Sequence, residues 1–263
     1  MSADFVHFRV YHDWITIDGN LFYNPATSYP IPPSTGGRPF PSYSSIRDFV
    51  TPDAAGQIYD GLQLGIQHRF SQSFAANVAY TLSRLKDSET SPNNPFNLAA
   101  EWGPSVDQQR HTLSVTGAYS WKWGISLSGA LHYGSGQNFA VSSGQNPFGL
   151  TYFTSRIFTD TTRFYIDPKY VAGAAGLPGY DIVSRDALIG NPIVRVDLRL
   201  SKTFTLKDRF HFTPMVEAFN LFNHANFGSY QLNVNVASFG QPAQVTDLPY
   251  YPRMLQFAGR FEF

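Results

Sequence analysis

Apolar and polar residues alternate with period two along several stretches of this chain, the repeat of a β-strand whose two faces meet different surroundings. From Tyr59 to Phe70, residues Leu62, Leu64, Ile66 and Phe70 fall on one side, and Gly61, Gln63, Gly65, Gln67 and Arg69 on the other. His68 is the single polar residue on the apolar side. A turn at Ser71–Ser73 leads into Phe74, Ala76, Val78, Tyr80 and Leu82, alternating with Ala75, Asn77, Ala79, Thr81 and Ser83. The pair predicts a hairpin. A second hairpin is predicted by Leu113, Val115, Gly117, Tyr119 and Trp121, a tight turn near Lys122, then Ile125, Leu127, Gly129, Leu131 and Tyr133. A third runs through Val194, Val196, Leu198, Leu200 and Phe204, turns around Lys207–Asp208, and returns through Phe210, Phe212, Val216 and Ala218. Pro214 removes one ladder donor from that return strand. Finally, Leu255, Phe257, Gly259, Phe261 and Phe263 alternate with Met254, Gln256, Ala258, Arg260 and Glu262 up to the last atom. Residues 5–17 carry a further strand pattern, broken at His12 and Asp13.

The connections sort by length. About three to five residues follow the strands ending at Phe70, Trp121 and Phe204, whereas about 25 to 60 follow those ending near Leu82, Tyr133 and Phe222, the layout of an outer-membrane barrel with short turns on one rim and long loops on the other. Segments 24–58, 84–110, 135–191 and 223–250 are rich in Gly, Pro, Ser and Asn and read as these loops. Aromatic residues collect at strand ends. Phe70 with Phe74, Trp121 with Trp123, and Phe204 with Phe210 flank the short turns, with Phe261 and Phe263 at the same level. Tyr59, Tyr80, Tyr133 and Tyr250 lie near the long loops. Ten residues tilted at about 40° span an apolar band of roughly 25 Å, so two such belts fit two membrane interfaces. A soluble β-sandwich also alternates, but its connections need not sort by length and its aromatics belong mid-strand in the core.

Composition narrows the choice. The chain has 263 residues and no Cys, which excludes a disulfide framework and any thiolate zinc site. Net charge is zero, without the basic excess of a nucleic-acid binder. No apolar run approaches the roughly 18 residues of a membrane-crossing helix, so a barrel is the one membrane-spanning option. Met1 to Val10 lacks the pattern of a secretory signal, and the expectation is a chain that is part of a longer protein.

Several segments carry a family resemblance. Pro252 to Phe263, Glu217-Ala218-Phe219-Asn220-Leu221-Phe222-Asn223-His224-Ala225-Asn226-Phe227-Gly228, Arg38-Pro39-Phe40-Pro41, the hairpin from Tyr59 through Tyr80-Thr81-Leu82-Ser83, and Glu101-Trp102-Gly103-Pro104-Ser105 together resemble TonB-dependent receptors of the Oar-like type over about residues 38–263. Asp107-Gln108-Gln109-Arg110-His111 has one residue more than the Asp-x-Arg-His step usual there. The resemblance implies a 22-stranded outer-membrane barrel with an amino-terminal plug, energised through TonB, importing an external substrate without a cofactor. It also implies that the barrel-assembly machinery recognises the terminal Phe263. On this reading the fold is all-β, an antiparallel transmembrane barrel segment of seven or eight strands. Residues 1–58 would hold an interrupted strand and a long loop, residues 59–263 seven strands, and no plug domain. Small inward residues (Gly61, Gly65, Ala75, Ala79, Ser114, Thr116, Ser126, Ser128 and Ala130) suit a wide wall, whereas a closed eight-stranded barrel must fill its own bore.

Candidate chemistry is sparse. His132 faces the lumen with Ser126 and Ser128, but a nucleophile and base must lie within about 3 Å, and no signature around these serines supports a hydrolase. His211 and Glu217 lie six residues apart, roughly 20 Å of strand, too far to share a metal. Arg195, Asp197, Arg199, Glu217, Arg260 and Glu262 read as a cross-strand charge ladder, or as a wall on which a plug docks. His224 reads as a turn residue and His68 as a group near the short-turn interface. Loop residues such as Asn138, Phe139, Asn146, Phe148, Tyr152 and Phe153 could grip sugar or peptide, but no single one stands out. The competing classes are a small closed barrel acting as an adhesin, an outer-membrane hydrolase dependent on His132, and a soluble secreted β protein.

Overall fold

The computed structural model describes residues 1–26, 29–71, 73–95, 97–106, 108–159, 165–173, 179–206, 209–244 and 251–263, with the backbone alone at 69–71, 172–173 and 244. Eight long strands form one antiparallel meander: β1 (Ser2–Tyr11), β2 (Gly56–Ser71), β3 (Phe74–Ser88), β4 (His111–Ser120), β5 (Ile125–Gly134), β6 (Ile193–Lys202), β7 (Phe210–Phe219) and β8 (Met254–Glu262). Each pairs with its neighbour in sequence, as hairpins joined by alternately short and long connections require.

The register carries the alternation across the whole wall. Leu64 faces Tyr80, Ile66 faces Val78, Val78 faces Val115, Val115 faces Leu131, Leu127 faces Leu200, and Val216 faces Phe257. Leu64, Val78, Leu127 and Leu198 thus share one face. None of the four is buried; Leu64 is 40% exposed, and Phe257 in β8 reaches 74%. No second sheet packs on this apolar face among the described residues, and that separates the wall from a soluble sandwich, whose apolar faces meet each other.

Local chemistry sets the strand ends. The β4–β5 turn closes with Trp121 N donating to Ile125 O at 2.8 Å and Gly124 N to Trp121 O at 3.2 Å. Gly124 sits at φ 73°, and a Cβ there would lie 2.7 Å from the Thr203 carbonyl, so glycine is required twice over. Between Ser201↔Met215 and Phe204↔Phe212 the strands stay in register but the ladder lapses, because Pro214 has no N–H to give. The pattern expected over residues 5–17 divides at His12, whose φ is 54°: β1 ends there, and Ile15–Asp18 pairs separately with Arg47–Val50. The Lys207–Asp208 turn, Asp107, Tyr250 and the Phe70 side chain lie outside the described residues.

The aromatic belts hold at the short turns. Tyr119 and Trp121 meet edge to face at 4.6 Å, Phe212 stacks on Phe261 at 4.5 Å, and His68 lies against Phe74 at 5.3 Å. At the other rim, Tyr80 keeps its ring among apolar neighbours while its hydroxyl meets His111 Nδ1 at 2.8 Å. Tyr59 departs from the expected belt. It faces Phe8 in the register, stacks on that ring at 5.2 Å and shares the face of Gly61, because a side chain at position 59 falls with the odd-numbered, inward set.

Apart from Ala218 in β7, the buried apolar residues lie elsewhere, in the long connections. One cluster joins Leu21, Tyr29, Phe148, Leu150 and Ile157; a second joins Val141, Phe158, Val183, Ala187 and Val234; a third joins Ile15, Ala55 and Leu98. The segments expected as irregular loops carry a small sheet (Ile157–Phe158, Asp181–Val183 and Val171–Gly173) and pack into a cap on the long-loop rim.

Candidate functional site

The wall presents two faces. On the inner one, small side chains line up across strands: Gly65 faces Ala79, Ala79 faces Ser114, Thr116 faces Ala130, and Ala118 faces Ser128. Beside them stand the residues of the expected cross-strand charge ladder, of which one pair forms across strands and two form along a strand. Arg199 and Glu217 are direct cross-strand partners, with Nε donating to Oε1 at 2.6 Å. Arg195 instead pairs with Asp197 two residues along its own strand at 2.8 Å, and Arg260 pairs with Glu262 in the same way. Asp197 also accepts from Asn220 N at 2.9 Å.

The structure does not bring the hydrolase candidates together. His132 lies opposite Ser114 and Arg195, while Ser126 Oγ is 3.0 Å from Ser120 Oγ. His211 lies opposite Glu262 and 3.2 Å from Thr205 Oγ1, well away from Glu217 in its pair with Arg199. Among the described residues no group of three or more His, Cys, Asp or Glu is arranged to hold a metal. His224 serves through its backbone: Asn220 Oδ1 accepts its N–H and Asn220 Nδ2 donates to its carbonyl, each at 3.0 Å.

The cap is tied by buried charges that pattern reasoning missed. Glu101 and Arg156 form an ion pair with side chains 1% and 3% exposed. Glu101 Oε1 also accepts the backbone N–H groups of Asn93 at 2.9 Å and Asn94 at 3.1 Å, and Arg156 Nη1 donates to Val183 O at 3.0 Å. Arg185 reaches Asp87 and Glu89 and donates to the Glu101 carbonyl at 3.1 Å. Burial pushes the Glu89 carboxyl above its ordinary value, with Arg185 and Arg156 opposing that shift. Asp18 accepts from Arg38 at 3.0 Å and Thr151 at 3.2 Å, joining the first and third long connections. Burial of such pairs is tolerated where their polar atoms are hydrogen-bonded.

The motifs behind the family resemblance turn out to be nodes of this framework. Arg38 holds Asp18, and Phe40 N donates to Asn20 Oδ1 at 2.9 Å. Glu101 anchors the buried pair. Asn226 mimics a strand partner above the end of β7, accepting Val194 N at 2.8 Å and donating to Val194 O at 3.0 Å. Most nominated loop residues face into the cap: Phe148 and Asn138 are buried, Phe139 packs on Tyr230 at 4.8 Å, and Asn146 closes its own turn on Leu150. A polar residue amid apolar neighbours in a loop was the available signal, but its partner lay 55 residues away in the case of Glu101 and Arg156.

A one-layer antiparallel wall with a bare apolar outer face, a polar inner face and interfacial aromatics defines a membrane β-barrel protein. The model of the outer membrane beta barrel domain family matches residues 2–256, and the chain belongs to that family. It resides in the outer membrane of a Gram-negative cell. A search of the curated proteins finds no match. Among solved structures, the chain is similar to FpvA of P. aeruginosa, described as bound to heterologous pyoverdines with iron: identity is 14%, the TM-score is 0.47, and the match covers 86% of this chain and 21% of that one. It is similar also to the outer membrane transporter YddB from Escherichia coli, at 12% identity and a TM-score of 0.49, over 99% of this chain and 30% of that one. The chain therefore spans less than a third of the length of either.

Proposed function

We propose that this chain is a stretch of wall in a TonB-dependent, Oar-like transporter barrel, non-catalytic, with its cap meeting an external substrate. The bare inner face carries this reading. A barrel of eight strands packs its bore with its own side chains. Here many inward positions across β2 to β5 are Gly, Ala, Ser or Thr, and the inner Gln63, Gln67, Asn77 and Ala79 stay exposed. That surface suits a wide bore occupied by something else, such as a plug docked against Arg195, Arg199 and Glu217. The sheet edges agree: β1 and β8 are exposed along their whole length, and lipid does not tolerate unpaired strand edges.

Reconstitution tests it. The chain expressed alone is expected to give no heat-resistant closed species in detergent. The product of the whole reading frame is expected to give one, and to lose TonB-dependent uptake when residues 2–262 are deleted. A chain that closes by itself, with heat-shifted mobility on a gel, overturns the proposal in favour of a small closed barrel.

A further inference from the structure

The β2–β3 hairpin is the longest in the wall, at 16 and 15 residues, and it rises above the apolar band. On the outward face of β3, Val78, Tyr80 and Leu82 are followed by Arg84 and Lys86. At about 3.3 Å per residue and a tilt near 40°, these two cations stand roughly 5 and 10 Å beyond Leu82 along the membrane normal, the depth of lipid headgroups. A bend at Arg110 interrupts the alternation of the neighbouring segment, and Arg110 lines the same cleft as Arg84, Lys86 and His111. The cleft holds about 360 Å³. Its roof, Asp186 and Ile189, comes from the third long connection.

What sets these cations apart is that three of them share one cleft without carboxylate partners among the described residues. Arg38, Arg156, Arg185, Arg195, Arg199 and Arg260 all have carboxylate partners. Arg84, Lys86 and Arg110 have none among the described residues, although Asp60 lies directly across from Arg84. The Asp60 carboxylate is engaged by His7 at 2.8 Å, and Asp186 in the cleft accepts from Ser184 Oγ. Ser135 Oγ accepts His111 N at 3.0 Å, which leaves its own proton free to donate into the cleft. Among the described residues lining the cleft, three positive charges meet one carboxylate, Asp186, at the level where the membrane that covers Leu82 changes from chains to headgroups.

We infer that the cleft between Arg84, Lys86 and Arg110 binds the phosphorylated headgroup of an outer-leaflet lipid. Its acyl chains would lie on the apolar face below, along Tyr80 and Leu82, so that one molecule meets the cations and the band together. This inference needs the outer-membrane placement and not the transporter reading.

The test uses the product of the whole reading frame in phosphatidylcholine nanodiscs, with bis-phosphorylated lipid A as the added probe and native mass spectrometry as the readout. Each basic residue near an anionic surface is worth roughly a fivefold change in binding. The triple variant Arg84→Gln, Lys86→Gln, Arg110→Gln is therefore expected to weaken retention of the probe about 100-fold. A charge-matched control at the opposite rim, Lys122→Gln, Lys202→Gln, Arg209→Gln, is expected to change it less than about threefold. On the unaltered protein, dephosphorylated lipid A is expected to compete poorly, and millimolar inorganic phosphate not at all. Equal losses in the two triple variants, equal retention of dephosphorylated lipid A, or displacement by inorganic phosphate each overturns the assignment.

Discussion

The wall and its cap are made of one chain by two opposite rules. In the wall, large apolar side chains are exposed: Leu64, Ile66, Leu127, Leu200, Phe257 and Phe261 all stand open on the outer face. In the cap, apolar and charged groups are both buried, with Phe158 fully enclosed and the Glu101–Arg156 pair almost so. The difference follows from the solvent each region meets. Hydrocarbon accepts a leucine at no cost but cannot satisfy a backbone group, so the wall ties its backbone into cross-strand ladders and leaves its side chains outside. Water drives apolar side chains inward, so the cap builds clusters as a soluble domain does and must then satisfy the polar groups enclosed with them. A charge is thus tolerated inside the cap if paired, and on the outer wall it stands beyond the apolar band, as Arg84 and Lys86 do.

The hardest blow to the cap alone is Arg156→Met. It strands Glu101 in a dry site with only the Asn93 and Asn94 amides for company, and removal of one partner from a buried pair costs about 3–5 kcal/mol. Hydrogen exchange in nanodiscs is expected to show faster exchange at 93–101, 154–158 and 181–183, with β2 to β7 unchanged. Equal loss of protection in the wall would mean that the two regions fold as one.

Val78→Arg and Asn77→Arg sharpen the comparison within the wall, because these neighbours point to opposite faces. An arginine on the lipid side at mid-depth costs about 2–4 kcal/mol, whereas the inward substitution is expected to stay within about 0.5 kcal/mol, as exposed changes usually do. Urea titration of the protein in liposomes measures both, and similar values would contradict the assignment of faces. Tyr80→Phe removes only the hydroxyl contact to His111 at the interface, and is expected to cost about 1 kcal/mol in the same titration.

The smallest effect concerns Glu89. Burial raises its carboxyl pKa in the folded cap, so the fold holds this proton more tightly than the unfolded chain does. Its contribution is therefore present at low pH and is lost as pH rises through the raised value. Glu89→Gln removes that dependence: cap opening, followed by exchange at 87–101, is expected to become rarer near about pH 7 and to be unaltered near about pH 4. An unchanged pH profile would assign the dependence to other groups.

What could be read in advance divides along the same line. Period-two alternation located seven of the strands, their faces, the turn near Lys122 and the long connections, since a wall that meets lipid on one side writes its geometry into every second residue. Tyr59 shows the limit of that reading. Its distance from the turn placed it in a belt, but its parity places it inside, against Phe8. In the cap no period exists to read. Asp18 finds Arg38 and Thr151, and Arg185 finds Asp87, through contacts between segments far apart in the chain.

By itself, then, the order of residues determined an all-β membrane wall with one greasy and one polar face, because each strand's environment is imposed locally, residue by residue. Tertiary structure alone decided that the long connections condense into a cap with buried ion pairs, and that Arg84, Lys86 and Arg110 share one cleft at headgroup height with no carboxylate partner among the described residues. Those outcomes depend on which distant charges meet, and meeting is a property of the folded chain.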